Sequence, residues 1–251
     1  MTDTCDSDAS SAPEGESGVV VAPFESSGLY AKLFFGERSR LAVVSSRAPR
    51  ATGTGGLDFE ASIPAFHRWI QDGSSLGEDE FAIDVANYAH LHNGPGVFLV
   101  TAKSCFGLDA IGGAPGLKYA RKRGLVGSPT TKIAAVLARL FAFAERFEAD
   151  PGFVAAAPHR KLRTDALEFG IVDRLRAPCV KATFDAVSPP LSAVLESLTA
   201  QQVNLAPEPD PRRPFSVCAR WHETMSASAE SFSILRRRAA ELEVAGASET
   251  L

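Results

Sequence analysis

Hydrophobic positions along this chain recur at two periods, and the switches between them mark out its elements. LYAKLFF, Leu29 to Phe35, reads as a first strand. In SIPAFHRWI the period changes to helical. Ser62 is placed to cap, Pro64 sits in the first turn, and Ile63, Phe66, Trp69 and Ile70 share one face. EFAIDVANY alternates, which directs Phe81, Ile83 and Val85 to the core and Ala82, Asp84, Ala86 and Tyr88 the other way. GVFLVTA is a continuous apolar run, as a strand covered on both faces requires. Asn93 to Gly96 joins these two strands as a hairpin turn. GLKYARK supplies a third strand after a flexible loop from Ser104 to Pro115, which contains Gly107, Gly112 and Gly113.

The strongest helix follows. Ser128 caps it, Pro129 opens it, and Ile133, Val136, Leu137, Leu140, Phe141, Ala144 and Phe147 keep helical spacing up to Asp150-Pro151-Gly152. ALEFGIVD is a strand with Leu167, Phe169 and Ile171 on one face. ATFDAVSPPLSAVLESLTA is a helix broken or restarted at Pro189-Pro190, and VNLAPEP and FSVCARW form a last strand pair. From Ser226 onward the composition is helical, but Phe232, Leu235, Ala239 and Leu242 form only a thin stripe. That pattern predicts a peripheral, partner-seeking helix.

Strands joined by short connections pair antiparallel, so the expected class is α+β: a mainly antiparallel sheet with helices packed on one face, in a single domain. The expected organisation is a disordered acidic tail over residues 1–19, the α+β domain over 20–222, and a peripheral C-terminal helix and tail over 223–251. No internal repeat stands out.

Composition narrows the classes. At 251 residues and 45% hydrophobic, the chain can bury a sizeable core. No apolar run approaches the roughly 18 residues of a membrane span. Asp3, Asp6, Asp8, Glu14 and Glu16 are unlike a signal or transit peptide, so a cytoplasmic location is expected. Those five acids account for the net charge of −4. The remainder holds 25 acids against 26 bases, and a near-neutral body gives no electrostatic case for nucleic acid or an anionic membrane. Cys5, Cys105, Cys179 and Cys218 form no CxxC and read as reduced, unpaired thiols.

The chain has no GxxxxGK[ST] loop, no GxGxxG and no GxSxG elbow, so no nucleotide cofactor or serine nucleophile is implied and the cofactor stays unassigned. Candidate chemistry centres on DVANYAHLHNGPG. Extended geometry gives Asp84, Tyr88, His90 and His92 a common direction where a strand meets a Gly-rich turn. Lys118 and Arg121, from the third strand, could face them across a mixed-charge pocket for a small polar or anionic ligand. His90 and His92, about 7 Å apart along a strand, form a weak metal pair. The competing reading is polar side chains beside a turn. Two functional classes result. The favoured one is a non-catalytic protein that binds such a ligand, or binds a protein partner through the C-terminal helix. The alternative is an enzyme using acid–base or metal chemistry at Asp84, Tyr88, His90 and His92.

Overall fold

The computed structural model describes residues 21–25, 28–36, 59–73, 80–91, 94–111, 114–156, 161–208, 210–222 and 228–248. The tail over residues 1–19, the loop Ser45 to Gly56, His92 and Asn93 lie outside them. Within them the elements run β1 (Leu29–Phe35), α1 (Ile63–Gln71), β2 (Ala82–Asn87), β3 (Val97–Thr101), β4 (Ser104–Asp109), β5 (Gly116–Arg121), α2 (Pro129–Ala149) and α3 (Pro151–Ala156). They continue as β6 (Leu162–Ile171), α4 (Lys181–Thr199), β7 (Asn204–Pro207), β8 (Ser216–Arg220) and α5 (Ala229–Ser248). The strands form one sheet in the order β2-β3-β4-β5-β1-β6-β8-β7, and every neighbouring pair is antiparallel. The α+β class read from the sequence is the class observed.

Strand alternation splits the sheet into two unlike faces. Leu29, Ala31 and Leu33 of β1 join Leu117, Phe106, Phe169 and Val217 from neighbouring strands in the main core, and α2, α4 and α5 pack on that side. The alternate residues, including Tyr30, Lys32 and Glu168, point to the opposite face, where the small apolar cluster of Phe34 and Ala166 includes no helix residue. In α2 the spacing predicted from sequence holds. Ser128 Oγ accepts from Thr131 N at 3.2 Å, and Ile133, Val136, Leu137, Leu140, Phe141, Ala144 and Phe147 are all buried.

Five expectations change. First, α5 is no peripheral helix: it runs antiparallel along α2 with Phe232, Leu235 and Ala239 buried in the core. Phe232 stacks on Phe141, and Glu145–Arg236 and Arg139–Glu243 pair across the helices. Its thin stripe is spent on α2, which supplies the rest of the apolar contact. Second, Ser104 to Asp109 is a buried strand and not a loop. Gly107 is needed there because a Cβ would lie 2.1 Å from the Val97 carbonyl oxygen. Third, α4 passes through Pro189 and Pro190 without a break. Pro189 and Pro190 remove the N–H donors to the Asp185 and Ala186 carbonyls, and Ser188 Oγ donates to the neighbouring Phe184 carbonyl at 2.7 Å. Fourth, Ser62 lies in a short 3-10 turn and makes no capping bond to α1.

The fifth change is the most consequential. Pairing of β2 with β3 shifts register between Ala82 and Asp84. A one-residue bulge reverses the phase of a period-two pattern. Ala82 and Val85 therefore pack on the core, while Phe81 and Ile83 are 64% and 63% exposed.

The topology also repeats where the sequence shows no repeat. β1, α1, β2–β5 and α2 are followed by β6, α4, β7–β8 and α5, each a strand, a helix, antiparallel strands and a closing helix. In both halves the first strand lies beside the last, β1 by β5 and β6 by β8, and β1 pairs with β6 at the junction.

A candidate binding cleft at Arg121

On β5, Tyr119 and Arg121 face the helices and Lys118 faces away, because successive strand residues alternate. Tyr119 is buried in the core, and Arg121 emerges at the strand end, level with Ser104 of β4. Both meet Glu80, which the bulged strand carries in to 1% exposure. Glu80 is fully engaged. Its Oε1 accepts from the Tyr119 hydroxyl and from Arg121 Nη1, and its Oε2 accepts from Ser104 Oγ at 2.8 Å. Thr101 Oγ1 holds Ser104 in turn, accepting from its backbone N–H at 2.9 Å.

This network gives the Arg121 guanidinium a fixed place. Nη1 is tied to Glu80 and Nε donates to the Arg123 carbonyl at 2.7 Å. Nη2 lies next to Gly124, where a Cβ would come within 3.4 Å of it. Gly124 and Gly127 both have positive φ, +79° and +96°, so the connection from β5 to α2 turns through backbone shapes that glycine favours. Burial alone would lower the Arg121 pKa, but the Tyr119 hydroxyl and Glu80 outweigh it and the cation is reinforced. Burial, and then the Glu80 charge, push the Tyr119 hydroxyl well above the ordinary tyrosine range, so it stays a proton donor.

Above this floor is a cleft of about 380 Å3 between the β5–α2 connection, the start of α2 and the end of α5. Its walls include Tyr119, Leu125, Thr131 and Ala135, together with Arg121 and Arg139. Glu243 stands 3.9 Å from Arg139 as a loose ion pair. Val126 at the lining is 80% exposed. The result is a largely apolar concavity with two guanidinium groups and one exposed-side carboxylate, the combination that orients a small molecule through a few polar contacts.

The residues named from the sequence are dispersed. Arg121 is in the cleft. Lys118 is on the opposite face, its Nζ 4.1 Å from the centroid of the Tyr30 ring. Asp84, by register with Val100, Cys105 and Ala120, belongs to that opposite face too, three strands or roughly 14 Å from β5. It is exposed, and its Oδ1 accepts from the Val85 N–H at 2.7 Å. Tyr88 is 43% exposed and His90 is exposed in the turn that follows. His92 and His159 lie outside the described residues, and no group of three metal-ligating side chains occurs among the described ones.

Sequence reading missed Glu80 and Arg139. Glu80 looks like a solvent-facing strand start until the bulge is known, and Arg139 looks like an ordinary polar break in the α2 stripe. The available signal was the Tyr119/Arg121 parity, which sends an arginine inward and so calls for a buried carboxylate.

The opposite face carries a second charged cluster, already paired internally. Lys32 Nζ meets Asp109 Oδ2 at 2.6 Å with both side chains almost fully buried. The Tyr30 hydroxyl donates to Glu168 at 2.7 Å, and Arg213 joins Glu168 and Glu208 at 3.3 and 2.8 Å. Cys105 and Cys218 share this face, and burial raises both thiols above their ordinary pKa.

The chain matches no protein-family model, no curated protein and no solved structure.

Proposed function

We propose that this chain is a non-catalytic binding protein whose cleft takes a small anionic ligand with an apolar body. The observation that carries this reading is Arg121: a guanidinium fixed by a buried carboxylate on the wall of an apolar cavity that Arg139 also lines. A pre-positioned planar fork suits carboxylate or phosphate recognition, because little side-chain freedom remains to be lost on binding. The apolar walls would supply most of the affinity and the guanidinium groups the orientation. Binding is favoured over acid–base chemistry because the titratable groups beneath the cleft, Glu80 and Tyr119, are locked to each other and to Arg121. Neither is held ready to exchange a proton with a ligand.

Thermal denaturation against a panel of small aromatic carboxylates and phosphate esters, each beside its neutral isostere, tests the reading. Ligand that binds only the folded state raises the melting temperature by mass action. At least one anion should do so while its neutral isostere does not, and Leu125→Trp, which fills the cleft, should abolish the shift. Leu125→Trp is the better probe because Arg121→Ala would strand a buried Glu80 charge, at about 3–5 kcal/mol. Equal shifts from neutral and anionic partners, or shifts that survive Leu125→Trp, would refute it.

A further inference from the structure

The chain enters the sheet beside the Arg121 cleft. Leu29, the first residue of β1, is the register partner of Arg121 on β5. Upstream of it, the Phe24 carbonyl accepts from Lys132 Nζ at 2.6 Å, which ties this entering segment to the first turn of α2. Thr131, the neighbour of Lys132, lines the cleft. Arg139 follows Lys132 by seven residues, two helical turns along the same side of α2. The chain that precedes Val21 therefore starts close to the cleft.

Charge is distributed to match. Lys103, Lys122, Arg123 and Lys132 lie along the connection from β5 to α2 and its first turn, and Arg121 and Arg139 stand in the cleft itself. Only Glu80 and Glu243 meet those two arginines, so the neighbourhood is cationic although the body holds 25 acids against 26 bases. Residues 1–18 carry Asp3, Asp6, Asp8, Glu14 and Glu16 and no base. We infer that this acidic N-terminal segment is an internal occupant of the Arg121 cleft, setting a carboxylate against its guanidinium groups and competing there with outside anions. The inference rests on reading the cleft as an anion site. Length permits the contact. Glu16 and Glu14 precede Phe24 by eight and ten residues, which can span up to about 26 to 36 Å. The stretch of α2 from Lys132 to Arg139 covers about 11 Å. Tethering also holds the carboxylates at an effective concentration on the order of millimolar, so contacts too weak for a free acidic peptide suffice.

Amide NMR spectra of the full-length wild type test it against a full-length variant with Asp3→Asn, Asp6→Asn, Asp8→Asn, Glu14→Gln and Glu16→Gln. At about 0.1 M salt, where charges act over about 10 Å, the Gly124, Leu125, Gly127 and Thr131 amides should differ between the two chains. At about 1 M, where that range is about 3 Å, the difference should vanish. If the five substitutions disturb amides throughout the core, the wild type alone is followed between these salt concentrations, and the same four amides must move. Phenyl phosphate, titrated at the lower salt, should bind the neutralised chain about fivefold more tightly, as expected when the tail fills about four-fifths of the clefts. Spectra that coincide at these amides, or a difference that survives at about 1 M, overturn the inference. Equal affinity of the two chains for phenyl phosphate overturns it as well, while leaving the anion reading of the cleft intact. If phenyl phosphate binds neither chain, that reading fails instead, and the amide comparison alone decides whether the tail occupies the cleft.

Discussion

Asp150, at the junction of α2 and α3, holds three donors with one carboxylate. Oδ2 accepts from Trp69 Nε1 at 2.8 Å, and Oδ1 accepts from Arg68 Nη2 at 2.9 Å and from the Gly152 N–H at 2.8 Å. Partial burial would raise its pKa, but the Trp69 and Gly152 donors and the Arg68 charge outweigh it and hold the carboxyl below the usual range. A depressed folded-state pKa gives stability that is complete above the unfolded value near 3.9 and is lost as pH falls through the folded one. Between about pH 5 and pH 2 the wild type should therefore lose stability more steeply than Asp150→Asn, by urea denaturation at stepped pH. Parallel slopes would show that other carboxylates set the acid limb. Residues of this kind were only partly legible. Arg121 could be named from its place on a strand, yet its partner Glu80 could not, because a buried carboxylate carries no mark in sequence until its cation is placed.

At the scale of elements, period and punctuation located most boundaries, and the errors arose where tertiary contacts reverse a local signal. Gly107 reads as a loop residue but belongs to a strand too closely packed for a side chain. The β2 bulge inverts a clean alternation, and no local feature of Ala82 to Asp84 announces it. The end of α4 shows the same conflict in the backbone. Ala200 closes the helix in the left-handed conformation, at φ +57°, and its N–H donates to the Glu196 carbonyl. That position favours glycine, because a Cβ there crowds the following carbonyl at roughly 1–2 kcal/mol. Ala200→Gly should raise stability by up to about 1 kcal/mol, once glycine's greater freedom in the unfolded chain is deducted. Chemical denaturation would measure it, and an unchanged or lower midpoint would mean that the alanine methyl makes a compensating contact.

For the whole molecule, α5 decides whether the second half of the chain is an appendage or part of one cooperative unit. Its sequence stripe is thin, but in the repeated topology α5 closes the second half as α2 closes the first, and the two helices pack on each other over the shared sheet. Phe232 is fully buried against Phe141, and Ala239 is fully buried as well. A helix so placed covers the apolar side of α2, whose Phe141 would otherwise meet water. Phe232→Ala should cost about 3–5 kcal/mol, a large share of the 5–15 kcal/mol that holds a typical domain together. Deleting residues 229–251 should then abolish cooperative unfolding altogether, followed by circular dichroism in urea. A truncated chain that still melts cooperatively near the wild-type midpoint would show that the first half and α4 form a self-sufficient core. In that case the helix would again be available to a partner.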